Sequence, residues 1–136
     1  MYPPELVAPM KSELTEVGFE ELLTPDAVDK AITSEGTTFV LINSVCGCAA
    51  ANARPAARMA VTNDKRPDRI TTVFAGVDAE AVNQARKHML PYPPSSPSMA
   101  LFKNGKLVHF IERHHIEGRP AEMIAENLAA AFNEYC

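Results

Sequence analysis

Cys46 and Cys48 flank a single glycine, shortly after the apolar run Thr38-Phe39-Val40-Leu41-Ile42 and directly before the small-residue stretch Ala49-Ala50-Ala51-Asn52-Ala53-Arg54. A cysteine pair at the carboxyl end of a strand and the start of a helix sits where free backbone N–H groups and the helix dipole point. That field favours thiolate, the reactive form of cysteine. Two Cα atoms one residue apart, with ~3.8 Å between neighbours, fall toward the upper part of the ~4.4–6.8 Å window for a disulfide. The ring is tighter than in Cys-x-x-Cys, which favours exchange or isomerisation over a durable bond. Gly47 is expected to supply backbone angles closed to other residues. Cys46, ahead of the helix, is the expected nucleophile, and Cys48, in its first turn, the expected resolving thiol. The competing reading is two ordinary small cysteines in a buried turn.

The elements that must position this pair follow from pattern. Leu6, Met10, Leu14 and Val17 give helical spacing over Glu5–Phe19. Thr24-Pro25-Asp26 opens a helix running to about Ser34, with a capping hydroxyl, a first-turn proline and an early acid. Thr37–Asn43 is a β-rich run without alternation, predicting a strand buried on both faces. The helix Cys48–Thr62 contains Pro55, which predicts a kink or restart. Ile70–Ala75 is a second strand, and Asp78 is expected to cap a helix to about Met89. After the proline-rich loop Pro91–Pro97, Met99–Phe102 and Leu107–Glu112 form a hairpin through Asn104-Gly105. Gly118-Arg119-Pro120 opens a last helix with Ile124, Leu128, Ala131, Phe132 and Tyr135 on one stripe.

This order predicts one domain over residues 1–136 with an α/β fold. The expected architecture is a thioredoxin-like three-layer α/β/α sandwich with a central mixed four-stranded sheet and an extra N-terminal helix. In open α/β sheets the functional crevice lies beyond the carboxyl ends of parallel strands, and Cys46 is at one such end. In that layout the loop Ser95-Ser96-Pro97-Ser98 faces the cysteines. A cis Pro97, with Ser96 before it, would offer backbone groups to an extended substrate; otherwise the loop is only a rigid connection. Gly47 belongs to the same substrate-facing surface. Arg54 could stabilise a thiolate or bind a carboxylate of a thiol substrate, or be an ordinary solvated helix residue. Asn43 and Ser44 could hydrogen-bond near the sulfurs or merely end the strand.

Metal binding is the competing chemistry. Cys-x-Cys offers two thiolates, and His109, His114 and His115 could complete a site, yet there is no second cysteine pair of the kind zinc sites use. His88, late in its helix, reads as a favourable C-terminal charge. Cys136, the last residue, reads as a third redox thiol, an intermolecular crosslink or an inert thiol.

Composition bounds the rest. The 136 residues are 46% hydrophobic and 22% charged, as in an ordinary globular protein. A formal charge of −4 gives no reason to expect nucleic acid or an anionic membrane as partner. No stretch approaches the ~20 apolar residues of a membrane span. The sequence shows no secretory signal, and three cysteines then point to reduced thiols in the cytoplasm.

With these residues in view the chain resembles the bacilliredoxin family of thioredoxin-like proteins. The most specific stretch is Asn43-Ser44-Val45-Cys46-Gly47-Cys48-Ala49-Ala50, continued by Ala53-Arg54-Pro55-Ala56. Val73–Gly76, Pro94–Leu101, His109-Phe110-Ile111 with Arg113-His114, and the final Tyr135-Cys136 support it. The resemblance implies a cytoplasmic thiol–disulfide oxidoreductase that removes bacillithiol, a low-molecular-weight thiol, from mixed disulfides on client proteins, with isomerase activity also attributed to the family. Carried over, Cys46 attacks and takes the bacillithiol, Cys48 or a second thiol resolves it, and Pro97 stands beside the site. Bacillithiol would be co-substrate, and no organic or metal cofactor is required, because the cysteines carry the electrons.

Overall fold

The strand that leads to the cysteines is buried along its whole length. In the computed structural model, which describes residues 2–136, β2 (Thr37–Asn43) has every residue buried. Its run of β-branched and apolar side chains suits a strand covered on both faces. β2 pairs in parallel with β3 (Arg69–Phe74) and antiparallel with β4 (Ser98–Lys103). The hairpin partner β5 (Lys106–Ile111) closes one side of the sheet. Asn104 and Gly105 both take positive φ, 51° and 82°, as a tight two-residue hairpin requires.

The sheet has five strands rather than the expected four, in the order β1-β3-β2-β4-β5. The addition, β1 (Glu20–Glu21), pairs in parallel with β3 through Thr71 and Thr72. Two consecutive glutamates carry no strand pattern, so only the pairing reveals it.

Alternation along β2 divides the core. Phe39 and Leu41 join one cluster with Leu14, Met99, Leu101, Leu128 and Phe132. Val40 and Ile42 join another with Val28, Ile32, Val73, Val82 and Phe102. The first is covered by α1 (Pro4–Thr15), α3 (Arg54–Ala60) and α5 (Ala121–Tyr135). The second is covered by α2 (Pro25–Thr33) and α4 (Ala79–His88). This is the three-layer sandwich. Each buried Phe, Leu or Ile contributes about 1.5–3 kcal/mol relative to exposure, and Phe39 also meets Phe132 edge-to-face at 5.5 Å. The buried apolar residues of α3 are only Ala56, Ala57 and Ala60, preceded by the buried Ala53; Arg54 is buried beside them. Small side chains let this helix lie close to the sheet.

Local signals are answered in detail. Thr24 Oγ1 accepts from Ala27 N at 3.1 Å, capping α2. Pro55 marks a restart: a π-helical turn, Ala49–Ala53, precedes α3, and Pro55 occupies its first turn, where the missing N–H costs little. Asp78 makes no side-chain cap for α4. His88, at the end of α4, bonds Asp29 Oδ1 at 2.8 Å and so ties α4 to α2. Hydrogen bonds from His88 and Gln84 hold the Asp29 carboxyl below its ordinary value.

Candidate active site

The carboxyl end of β2 turns at Asn43 and Ser44 into Cys46-Gly47-Cys48. Cys46 O accepts from Ala49 N (3.0 Å) and Ala50 N (3.2 Å), so the helical turn starts on the cysteine itself. Cys46 and Cys48 form a disulfide with Cα atoms 5.5 Å apart. The two sulfurs are not equivalent. Cys46 is half-buried, whereas Cys48 is 9% exposed, inside the first helical turn. Ser44 Oγ donates to Cys46 Sγ at 3.3 Å and accepts from Cys46 N at 3.3 Å. A hydroxyl directed at this sulfur can stabilise a thiolate there.

Gly47 is exposed, and nothing lies within 4 Å of where its Cβ would be. It is not among the positive-φ glycines, so the expected need for unusual backbone angles is not met. The turn is shaped by the bonds to Cys46 O instead, and the absent side chain leaves open space beside the disulfide.

Arg54 is placed differently from the expectation of a substrate-facing cation. It is 1% exposed and lies beneath the turn. Its Nε donates to Glu13 Oε2, and its Nη1 to Asn43 Oδ1 and Ser44 O, each at 2.9 Å. Asn43 Oδ1 also accepts from Ser44 N at 2.9 Å, while its Nδ2 reaches Met10 O at 3.4 Å. Arg54 and Asn43 thus bind the end of β2 to α1 and hold the backbone that carries Ser44. A guanidinium supplies several fixed donors, and here they are spent on the scaffold.

Pro97 is buried, and the Ser96–Pro97 bond is cis. Ile42 pairs with Ser98, so continuing the antiparallel register sets Pro97 opposite Asn43 and Ser96 opposite Ser44. Ser96 and Cys46 line the same cavity, of about 230 Å³, with Tyr2, Gly76 and Arg113. A larger cleft of about 340 Å³ lies between β5 and α5, against His109, Met123 and Asn127, and contains no cysteine. Reactive sulfur rather than volume identifies the site.

The histidines do not join the cysteines. His109 Nε2 bonds Asn127 Oδ1 at 2.7 Å. Among the described residues the one group of three potential metal ligands, Glu112, His114 and His115, has its ligand atoms within 4.8 Å of one another and includes neither cysteine.

Cys136 lies at the opposite end of the sheet. Its thiol sits against Thr37, the first residue of β2. Seven residues of strand at about 3.3 Å each separate it from the Cys46 end by roughly 20 Å. Cys136 is exposed at the surface, and partial desolvation against the start of β2 raises its thiol above the ordinary value. At this separation Cys136 does not reach Cys46 within one molecule, so the fold does not support a third redox thiol acting there intramolecularly. Cys136→Ser is expected to leave the rate of exchange at Cys46 unchanged within about twofold; a larger loss in a stopped-flow thiol-exchange assay would contradict this placement.

Comparison with known proteins agrees with this geometry. A family model described as disulphide isomerase matches residues 2–136. A bacilliredoxin of Cytophaga hutchinsonii is 59% identical over 134 residues, covering 98% of this chain and 99% of its own length. Bacilliredoxin BH1716 of Halalkalibacterium halodurans is 56% identical, covering 99% of this chain and 94% of its own. The chain belongs to the bacilliredoxin family. Its fold is that of thioredoxin. A putative oxidoreductase with a thioredoxin fold superposes with a TM-score of 0.64 at 19% identity, covering 82% of this chain and 90% of its own. Oxidised mitochondrial thioredoxin 3 of Saccharomyces cerevisiae gives 0.62 at 14%, covering 90% and 99%. Bacilliredoxin relatives on a thioredoxin fold make this chain a thiol–disulfide oxidoreductase, with thiols or disulfide-bearing proteins as partners. Among the described residues no helix is long and apolar enough to cross a membrane.

Two residues that line the cavity with Cys46 are not candidate site residues in the sequence, although Arg113 lies in a stretch that carries the family resemblance. Tyr2, ahead of α1, reaches the cavity only because α1 packs beside the sheet. Arg113 follows β5, whose pairing of Ile111 with Met99 returns it to the loop before β4. The hairpin register was the available signal, since an antiparallel partner must end beside the start of its mate.

Proposed function

We propose that this bacilliredoxin family member removes bacillithiol from mixed disulfides on client proteins in the cytoplasm. The observation that carries the reading is the asymmetry of the pair: Cys46 opens onto a cavity of small-molecule size, and Cys48 is buried behind it within bonding reach. Cys46 thiolate attacks the bacillithiol sulfur. The client–bacillithiol S–S bond breaks, the client leaves as thiolate, and an S–S bond forms on Cys46. Cys48, deprotonated, then attacks Cys46 Sγ, releasing bacillithiol as thiolate and leaving the Cys46–Cys48 disulfide. Each step exchanges one S–S bond for another and needs no external oxidant. A separate thiol reductant must reopen the internal disulfide for the next cycle. The loop Ser96-Pro97 supports the reading by presenting backbone beside Cys46, where an extended client segment can pair as an added strand.

The description of the family model favours a second activity, isomerisation of client disulfides by the same two sulfurs. Intact-mass analysis separates the two. A bacillithiolated client is expected to lose its modification within minutes of adding reduced protein, while a scrambled-disulfide client recovers its native pairing more slowly. If the modified client keeps its mass and the scrambled one refolds, isomerisation is the activity and bacillithiol is not its substrate.

A further inference from the structure

The cavity in front of Cys46 has an electrostatic character that the exchange chemistry does not require. Its walls are neutral apart from Arg113: among the described residues no acidic side chain lines it. Arg113 is exposed and anchored from one side. Its N donates to Ser95 Oγ (3.4 Å), Nη1 to Ser96 O (3.3 Å) and Nε to Glu117 Oε2 (3.1 Å). These contacts use two of the five guanidinium N–H donors. The remaining three have no partner among the described residues. The pair with Glu117 is exposed on both sides and of a kind worth little, so it does not prevent Arg113 from taking an anion.

The opposite wall is shaped to leave room. A Cβ on Gly76 would stand 2.7 Å from the Tyr2 ring, so the absence of a side chain there lets Tyr2 close over the cavity. The result is a recess of about 230 Å³ with sulfur, one guanidinium and an aromatic rim. That volume is below the roughly 300–1,000 Å³ of a pocket that encloses a drug-sized ligand, so it suits one arm of a small thiol rather than a folded partner.

We propose that this recess is an anion-selective subsite, in which Arg113 holds a carboxylate of a low-molecular-weight thiol while Cys46 Sγ takes its sulfur. The inference rests on the proposed exchange at Cys46 and adds the charge of the thiol that the site selects. It also decides which sulfur of a mixed disulfide is attacked. With the small thiol's carboxylate on Arg113, its own sulfur meets Cys46, and the client is the leaving group.

Charge-matched alkylating agents test the subsite without requiring turnover. Iodoacetate and iodoacetamide react with a thiolate by the same displacement, forming a thioether and releasing iodide, but only iodoacetate carries a carboxylate. The two rates are measured at Cys46 of the reduced protein by site-resolved mass spectrometry, for wild type, Arg113→Gln and Arg113→Lys. The iodoacetate-to-iodoacetamide ratio is expected to fall about tenfold in Arg113→Gln and less in Arg113→Lys, which keeps a point charge but loses the fork. In wild type it should also fall with added salt. An unchanged ratio in Arg113→Gln overturns the proposal, and the iodoacetamide rate controls for any change in thiolate reactivity. One client capped in turn with mercaptoacetate and with neutral mercaptoethanol separates the two levels of inference. Faster removal of the anionic cap supports the subsite in exchange; equal removal overturns it while leaving the oxidoreductase reading intact. If the alkylation ratio falls but neither cap is removed, the anion site stands and the proposed exchange fails.

Discussion

Cys46→Ser is expected to reduce release of bacillithiol from a client to background, a loss on the order of 10³-fold or more. A serine hydroxyl is protonated at neutral pH and cannot take the place of a thiolate in thiol–disulfide exchange. Cys48→Ser is expected to behave differently. Its partner Cys46 still faces the cavity, so the first attack proceeds, but the thiol that would displace the captured group is gone. The Cys48→Ser protein should therefore accumulate one bacillithiol on Cys46, visible as a single mass increment that dithiothreitol removes. The buried position of Cys48 prevents it from being the first to meet a client, and its bonding reach to Cys46 makes it an efficient second. Full activity in Cys46→Ser, or loading on Cys48 in that variant, would reverse the assigned roles.

Arg54→Met should lower stability by about 2–4 kcal/mol, with a fall in Tm of roughly 10 °C at fixed redox state. The methionine fills a similar volume, so the loss is polar rather than steric. Asn43 Oδ1 keeps only Ser44 N, and Ser44 O loses its donor, both in a buried setting. Glu13 loses its ion pair too, but its side chain is 39% exposed and water can replace the guanidinium. For that reason Glu13→Gln should cost less, about 1 kcal/mol. The Arg54 substitution should also slow exchange at Cys46, because the backbone that carries Ser44 Oγ toward the sulfur is no longer held. Thermal denaturation and the rate of Cys46 alkylation measure the two effects. An unchanged Tm would mean that the buried hydrogen bonds of Arg54 are replaced by other partners.

Much of this protein is written in short-range pattern. The uninterrupted run Thr37–Asn43 predicts a central strand, and every one of its residues is buried. Thr24 before Pro25, and Asn104 before Gly105, have local backbone consequences that appear in the fold as expected. The placement of Cys46-Gly47-Cys48 after that strand and before a helical turn is likewise a matter of sequence order. Each of these signals lies within a few residues of its effect, so each survives without knowledge of the rest of the chain.

Other features depend on residues far apart in the chain meeting in space. Arg54 sits on an alanine-rich helix and reads from sequence as either a substrate-facing cation or a solvated helix residue. Its burial is decided by Glu13, 41 residues earlier, and by the end of β2. β1 exists because Thr71 and Thr72 pair with two glutamates that carry no strand pattern of their own. Cys136 reads as a redox thiol, an intermolecular crosslink or an inert thiol until α5 carries it to the far end of β2, away from Cys46. Arg113 enters the cavity through the register of a hairpin, and Tyr2 through the packing of α1. Periodicity and spacing set the elements and the reactive pair, because those are local preferences of backbone and side chain. The cation that serves the scaffold and the cation that faces the cavity are distinguished only by tertiary packing, because burial and charge environment are properties of neighbours that sequence distance does not encode.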